Sequence, residues 1–257
     1  MTKVALITGS TSGIGLGIAR KLASEGYHII LNGLNTPEVE DVVKDVDKLG
    51  TGKVLFSDAD MSNPNQIENM MHMIENKFGQ IDIVVNNAGI QFVSPIEEFP
   101  AEKWDKILAI NLSSAFHIIR LAIPMMKKNG WGRIVNIASA HALVASPFKS
   151  AYVAAKHGIA GLTKTVAMEV AENNITCNAI CPGYVHTPLV DGQIDATAKA
   201  RGITREQVIK DVMLGEQPTK KFVAVEEIAD LVYFLCSDSA SSMTGTCLPI
   251  DGGWTAH

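Results

Sequence analysis

The chain has 257 residues, of which 47% are hydrophobic, and its formal net charge is −5. This length and apolar content suffice for one folded domain, which we expect to span residues 1–257. No basic block typical of nucleic-acid or membrane-surface binding is present, so neither partner is expected. Four cysteines without a CxxC pair or a metal-ligand cluster predict no metal site and favour a reduced, cytoplasmic setting. The first apolar run is too short for a signal peptide, and no run reaches membrane-spanning length.

Short β-branched or apolar runs alternate along the chain with segments of helical periodicity. The predicted strands are residues 4–7, 28–31, 54–56, 81–85, 133–137, 176–180 and 246–250. The predicted helices are approximately 14–25, 38–49, 66–77, 102–128, 151–171 and 225–235. Seven strands alternating with helices predict a single-domain α/β fold, a Rossmann-type doubly wound sheet of parallel strands with helices on both faces.

Residues 184–217 form the one long stretch in which no strand is predicted. The stretch is polar, and a short helix is expected only at residues 205–213. Long excursions from compact domains usually act as lids or binding loops. We therefore expect residues 184–217 to cover a substrate.

Three glycines follow the first predicted strand, in Thr8-Gly9-Ser10-Thr11-Ser12-Gly13-Ile14-Gly15. A strand that passes through such a loop into a helix can place its backbone against a diphosphate at the helix N-terminus. The spacing is GxxxGxG, whereas the common dinucleotide fingerprint is GxGxxG. On its own, an ordinary turn between strand and helix explains the loop equally well.

Further motifs follow in chain order, and together they resemble the short-chain dehydrogenase/reductase family over the whole chain. They are Asp60 after the third strand, Asn86-Asn87-Ala88-Gly89 after the fourth, Asn111 in a helix, Ser139 after the fifth strand, Tyr152 and Lys156 in YxxxK, and Pro182-Gly183 after the sixth. The resemblance implies a nicotinamide cofactor, with Asp60 at the adenine and Thr187 at the carboxamide. It also implies a homotetramer, with the helices around 102–128 and 151–171 at one interface and the C-terminal segment near another.

The cofactor-binding positions implied by this resemblance run from the glycine loop to the segment after the sixth strand. They are Gly9, Thr11, Ser12, Gly13, Ile14, Gly15, Leu34, Asp60, Met61, Asn87, Ala88, Gly89, Tyr152, Lys156, Pro182, Gly183, Val185 and Thr187. Cofactor choice depends on the end of the second strand, where an acid binds a ribose hydroxyl and an Arg accepts a 2′-phosphate. The segment Asn32-Gly33-Leu34-Asn35-Thr36 has neither. Because nothing there would offset the charge of a 2′-phosphate, we expect NAD.

Tyr152 and Lys156 are four residues apart on a predicted helix and therefore share a face. The spacing alone is typical of a surface pair, but the family pattern makes Tyr152 the general base and acid. Lowering a tyrosine pKa from ~10 to ~7 takes about 4 kcal/mol, which one ammonium at ~4 Å supplies in an effective dielectric of ~20. Ser139 would form a hydrogen bond with the reacting oxygen, and the resemblance implies that Asn111 holds a water that connects Lys156 to solvent. The alternatives are a turn serine and a helix asparagine bonded to nearby backbone.

Polar residues surround these catalytic positions in the sequence. Gln91, His141, Lys149 and Gln193 are ordinary surface or loop residues one by one, but together they could form a donor-rich pocket for a carboxylate. The segments around Gln91, His141, Lys149 and Trp254 resemble those of bacterial D-3-hydroxybutyrate dehydrogenases. That resemblance implies oxidation of (R)-3-hydroxybutyrate to acetoacetate. It also implies that Gln91, His141, Lys149 and Gln193 bind the carboxylate and that Trp254 forms part of the pocket wall. Tyr184 departs from the Trp of some relatives.

Three other functions remain open from the residues. The first is an NADP-dependent 3-oxoacyl reductase acting on a carrier-bound thioester, which would need a basic 2′-phosphate site and a basic docking surface. The second is a sugar or cyclic-alcohol dehydrogenase, which has no evident use for Lys149. The third is a catalytically silent dinucleotide-binding regulator with the same fold. The presence of Asn111, Ser139, Tyr152 and Lys156 argues against the third.

Overall fold

The computed structural model describes residues 2–256, and Met1 and His257 lie outside it. Within that range the chain forms one sheet of seven parallel strands in the order β3-β2-β1-β4-β5-β6-β7. The strands are β1 (Val4–Ile7), β2 (His28–Asn32), β3 (Val54–Ser57), β4 (Ile83–Asn86), β5 (Gly132–Ile137), β6 (Ile175–Pro182) and β7 (Cys247–Ile250). The predicted strands and the predicted fold class are therefore confirmed.

Helices of the described chain connect the strands and cover both faces of the sheet. They are α1 (Gly13–Ser24), α2 (Val39–Asp47), α3 (Pro64–Phe78), α4 (Ala101–Leu108), α5 (Ser114–Asn129), α6 (Ser150–Val170), α7 (Pro188–Arg201), α8 (Arg205–Gln207) and α9 (Val225–Leu235). Local sequence sets their ends in several places. At α3, for example, the Asn63 side chain accepts hydrogen bonds from the backbone N–H groups of Asn65 and Gln66, and Pro64 occupies the first turn.

The central strands are apolar because helices cover both of their faces. All four residues of β1 are buried, and they alternate between two core clusters. Leu6 faces the cluster that includes residues of α3 and α5, while Ile7 faces the cluster that includes residues of α1 and α9. The strand order reverses between β1 and β4, where the crossover connections leave in opposite directions. A crevice opens at the carboxyl ends of the strands at such a point.

Two helical predictions need correction. The single helix predicted at 102–128 is divided into α4, a π-helical segment at Ala109–Ser113, and α5. Residues 184–217 are mainly helical, because α7 begins after Thr187 and ends before Gly202. The hydrophobic pattern missed α7 because its polar sequence has no continuous apolar stripe. The predicted short helix at 205–213 is present as α8 followed by a π-helical turn at Val208–Met213.

The expectation about membrane-spanning length was wrong for one stretch. Taken together, Ala101–Asn129 is a helical stretch of 29 residues that is long and apolar enough to cross a membrane by length and composition. Its α5 part buries Ile118, Ala122 and Met126 in the core beside the sheet. This is the arrangement of a core helix, whose apolar side chains are used in packing against the sheet.

Candidate active site

A cleft of about 670 Å³ lies at the carboxyl ends of the strands and gathers almost all of the predicted site residues. Every predicted cofactor-binding residue lines it except Gly15, and every predicted catalytic residue lines it except Asn111. All five predicted substrate-binding residues also line it, namely Gln91, His141, Lys149, Gln193 and Trp254. Residues that are far apart in the sequence therefore form one continuous surface.

Hydrogen bonds connect the glycine loop to the loop after β4. The Thr8 hydroxyl accepts hydrogen bonds from the backbone N–H groups of Asn87 and Ala88, both at 3.0 Å. The Asn87 amide donates to the carbonyls of Thr8 and Gly9, both at 2.9 Å. Gly9 has a φ of +59°, and a Cβ there would lie 2.9 Å from the Ala88 Cα. Only glycine fits this close approach without strain.

The same loop leaves backbone exposed to the cleft at the N-terminus of α1, where a diphosphate is favourably placed. Gly15 has a different task, since a Cβ there would lie 2.3 Å from the Gly9 carbonyl oxygen. Gly15 therefore allows the helix to pack beneath the loop. We call the loop backbone at Gly9–Gly13 the glycine cradle. The cradle and the size of the cleft fit a dinucleotide, which the loop sequence alone did not establish.

The last residue of β2 is Asn32, whose side chain is buried. Its amide donates to the carbonyls of Ser57 at 3.1 Å and Ala59 at 2.9 Å, which an aspartate at this position could not do. Leu34 lines the cleft nearby and is 78% exposed. The cleft residues around it, Thr11, Ser12, Asn32 and Gly33, carry no charge.

Asp60 lines the cleft beyond β3, as predicted for an adenine contact. Its carboxylate accepts hydrogen bonds from the backbone N–H of Ser62 at 2.8 Å and from the Ser62 hydroxyl at 2.7 Å. These bonds lower the pKa of Asp60, so the group is ionised at neutral pH. Lys106 of α4 also lines this part of the cleft, and its charge acts in the same direction.

Tyr152, Lys156 and Ser139 meet at the inner end of the cleft. The Lys156 Nζ donates to the Ile137 carbonyl at 2.8 Å and lies 5.5 Å from the centroid of the Tyr152 ring. Burial lowers the pKa of Lys156 to about 8. Burial also raises the pKa of Tyr152, and a hydrogen bond with the Ser139 hydroxyl partly opposes this effect. In the protein alone, the balance therefore favours the neutral phenol.

Asn111 lies in the π-helical segment and is buried below the cleft surface. Its side-chain oxygen accepts from the Ile90 N–H at 2.9 Å, and its amide donates to the Ile90 carbonyl at 2.9 Å. The side chain thus fixes the loop that follows β4. Its role as the holder of a water stays a prediction, and its side chain bonds the Ile90 backbone rather than the nearby helical backbone of the alternative.

His141 is buried, and both of its ring nitrogens face hydroxyl groups. The Nδ1 lies 3.3 Å from the Ser139 Oγ, and the Nε2 lies 2.8 Å from the Ser146 Oγ. Burial lowers the pKa of His141 to about 3, and the nearby positive charge of Lys149 adds to this effect. The imidazole is therefore neutral, as expected, but it can bind a ligand through Nε2 only by exchanging the Ser146 contact.

The predicted carboxylate-binding residues Lys149, Gln91 and Gln193 lie on three separate elements of the cleft wall. Burial lowers the pKa of Lys149. The Gln193 amide, on α7, donates to the Gln91 side-chain oxygen at 3.2 Å. This bond leaves the Gln91 Nε2 buried without a hydrogen-bond partner among the described residues. A buried unsatisfied donor is costly, which makes Gln91 a ready donor to an anionic ligand.

Aromatic rings form the wall of the cleft next to these polar groups. Trp254 is buried and packs edge-on against the His141 ring, with centroids 5.1 Å apart. Tyr184 stacks on Trp254, with centroids 5.5 Å apart and an angle of 8° between the planes. The aromatic wall expected from Trp254 is therefore present, and Tyr184 extends it.

Sequence reasoning did not assign three further side chains at the site, namely Ser146 beside His141, Lys106 near Asp60, and Val190 in the cleft wall. No motif in the sequence indicates them. No group of three or more His, Cys, Asp or Glu side chains that could hold a metal ion occurs in the described part of the chain.

The chain is similar to known proteins over essentially its full length. Residues 9–255 match the family model described as Enoyl-(Acyl carrier protein) reductase. The chain is 63% identical to the D-beta-hydroxybutyrate dehydrogenase of Rhizobium meliloti (strain 1021), covering 100% of both chains. It is 52% identical to the enzyme of the same name from Cupriavidus necator, covering 99% of this chain and 98% of that one. The structure of L-sorbose reductase from Gluconobacter frateurii, complexed with NADPH and L-sorbose, superposes with a TM-score of 0.94 at 32% identity, covering 100% of this chain and 97% of that one.

Proposed function

The chain is an oxidoreductase of the short-chain dehydrogenase/reductase family, and from that premise we propose that it interconverts (R)-3-hydroxybutyrate and acetoacetate with NAD as its cofactor. The observation that carries the choice of substrate is the array of Lys149, Gln91 and Gln193 beside Tyr152. It offers one cation and an unpaired amide donor to a carboxylate near the group that would move a proton. The substrate named for the Rhizobium and Cupriavidus relatives supports the same choice.

The dinucleotide would lie across the glycine cradle and supply the hydride acceptor when it is bound. In the oxidation, Tyr152 takes the proton from the substrate hydroxyl, and in the reverse direction it returns that proton to the carbonyl oxygen. Ser139 donates a hydrogen bond to the same oxygen and stabilises the negative charge that develops on it. Lys149, Gln91, Gln193 and His141 hold the carboxylate, and Trp254 closes the apolar side.

Lys156 acts on Tyr152 through its charge. Its Nζ lies 5.5 Å from the centroid of the Tyr152 ring, so its positive charge stabilises the phenolate form of Tyr152. Burial raises the Tyr152 pKa, and the positive charge of an oxidised nicotinamide would add to that of Lys156 in opposing this shift. The charge of Lys156 decreases above about pH 8.

The uncharged surroundings of Leu34 support NAD over NADP. A 2′-phosphate there would lose hydration without gaining a cation from Thr11, Ser12 or Asn32. The free thiols of the four cysteines are consistent with a reducing, cytoplasmic environment. We also propose the homotetramer that family membership implies.

Steady-state kinetics with (R)- and (S)-3-hydroxybutyrate, each with NAD and with NADP, would test the substrate, its stereochemistry and the cofactor together. We expect efficient turnover only for the (R)-acid with NAD. A panel containing a 3-oxoacyl thioester, sugars and cyclic alcohols separates the competing dehydrogenase functions. Higher efficiency on any of these than on the (R)-acid would refute the proposed substrate, and inactivity on all of them would favour a silent regulator.

A further inference from the structure

The ammonium of Lys149 has a specific neighbour in the cleft wall. Its Nζ donates a hydrogen bond to the Tyr184 hydroxyl oxygen at 3.2 Å and lies 5.4 Å from the centroid of that ring. The described chain gives Lys149 no carboxylate partner within salt-bridge distance. A lysine side chain loses rotamer entropy when it is fixed, so a contact that holds it in advance favours ligand binding.

Tyr184 is itself held firmly from two sides. Its ring stacks in parallel on Trp254. Its backbone N–H donates to the side-chain oxygen of the buried Gln217, and its carbonyl accepts from the Val223 N–H at 2.9 Å. Burial raises the pKa of Tyr184, so its hydroxyl is neutral and can accept a hydrogen bond from a cation. The acceptor for Lys149 therefore has a defined position.

The residue type at position 184 decides whether this contact can exist. A tryptophan would preserve an aromatic wall against Trp254, but its indole N–H is only a donor and cannot accept from an ammonium. A phenylalanine would preserve the ring and lose the polar atom. Tyrosine combines the stacked wall with an acceptor, so the hydroxyl has a role separable from the ring.

We propose that Tyr184 is a positioning residue for Lys149, whose ammonium its hydroxyl directs toward the carboxylate end of the substrate. The inference rests on the proposed function for the identity of the substrate, but the contact applies to any small carboxylate. Tyr184 thereby contributes to the preference for free acids over uncharged analogues. Tyr184 contacts Lys149, which would bind the carboxylate, and takes no part in proton transfer.

Tyr184→Phe tests this proposal because it removes the hydroxyl and preserves the stacked ring. For (R)-3-hydroxybutyrate we expect the KM to rise roughly three- to tenfold, the effect of losing about one hydrogen bond, with little change in kcat. Tyr184→Trp should raise the KM similarly. The methyl ester of the same hydroxy acid should be affected much less. Tyr233→Phe, which removes a phenol hydroxyl on α9 outside the cleft, is the matched control and should behave like the parent enzyme.

A double-mutant cycle with Lys149→Ala tests whether Tyr184→Phe changes the KM through Lys149. If Tyr184 acts through Lys149, adding Tyr184→Phe to Lys149→Ala should change the KM no further. Equal losses on acid and ester, or additive effects in the cycle, would overturn the proposal. In either case the hydroxyl would be acting through the fold or on another part of the substrate.

Calorimetric titration of butyrate into the NADH-saturated protein separates this proposal from the proposed function. Butyrate is an unreactive carboxylate, so its binding does not depend on which substrate the enzyme oxidises. We expect weaker butyrate binding in Tyr184→Phe than in the parent and in Tyr233→Phe. Unchanged affinity would refute the positioning role. Failure of the parent enzyme to oxidise (R)-3-hydroxybutyrate would instead count against the proposed function alone.

Discussion

Tyr152 takes part in the proposed reaction through its hydroxyl group, which can be removed selectively. Tyr152→Phe leaves the ring packed beside His141, with which it makes an edge-to-face contact at 5.9 Å. Because only the proton-transferring hydroxyl is lost, we expect NADH affinity to be preserved and turnover to fall by at least two orders of magnitude, the usual contribution of general acid–base catalysis being ~10²–10⁴. Fluorescence titration with NADH and steady-state kinetics measure the two effects. Turnover close to that of the parent would remove Tyr152 from this role.

Lys149 has a role that distinguishes a carboxylate-specific enzyme from a general alcohol dehydrogenase. A charge-assisted hydrogen bond contributes about 1.5–3 kcal/mol, so Lys149→Ala should reduce kcat/KM for (R)-3-hydroxybutyrate by roughly one to two orders of magnitude. The uncharged ester does not use this anchor, and its turnover should fall much less. Cofactor affinity should barely change.

Lys53→Ala is the matched control for Lys149→Ala, because Lys53 is an exposed lysine that does not line the cleft. It should leave both substrates unaffected. Should the acid and the ester lose activity equally in Lys149→Ala, Lys149 would be structural, and the carboxylate pocket would lose its main support.

The end of β2 is the element on which cofactor choice depends. Leu34 is 78% exposed at the edge of the cleft, so an arginine there can be solvated and still reach a bound ribose. Leu34→Arg should raise the efficiency ratio of NADP to NAD by roughly ten- to a hundredfold, since it offers a 2′-phosphate a charge-assisted partner. Kinetics with both cofactors at a fixed concentration of the (R)-acid give the ratio. Leu49→Arg, on a leucine outside the cleft, is the control, and an unmoved ratio in Leu34→Arg would mean that the ribose pocket lies elsewhere.

The elements also explain how much of this molecule the sequence could predict. The seven strands could be predicted because each contains a short run rich in apolar or β-branched residues, of which the fully buried β1 is the clearest. The helix α7 could not, because its two described buried anchors, Val190 and Ile194, face a small local cluster and give no long periodic stripe. Its limits were nevertheless indicated by Thr187-Pro188 at the start and Gly202 at the end.

The candidate site was likewise predicted only in part, because motifs identify its residues but packing holds them in place. Family motifs predicted which residues gather around the cleft, since only Gly15 and Asn111 of the predicted set do not line it. They could not predict what holds those residues in place. The Tyr184 contact to Lys149 joins segments whose relative positions depend on the packing of the whole fold, and the Ser146 contact to His141 is a local loop contact that no family motif names.

At the scale of the whole molecule, the outer faces of α5 and α6 bear apolar side chains that packing within the chain does not cover. Met168 is 82% exposed and Phe116 is 48% exposed. Large exposed apolar side chains on neighbouring long helices are typical of an interface between subunits. The family resemblance assigns one interface of the proposed homotetramer to these helices.

Introducing charge on these helices tests the assembly. We expect Phe116→Glu combined with Met168→Glu to yield dimers or monomers, because burying two carboxylates in each subunit without partners weakens an interface at these helices. Size-exclusion chromatography with light scattering measures the mass at several protein concentrations. Leu49→Glu alters a leucine that is also 43% exposed but lies after α2, and it should leave the mass of the parent unchanged. A double variant that remains tetrameric would show that α5 and α6 are not at the interface. If the parent itself were monomeric, the exposed side chains of these helices would have to be explained by some other function.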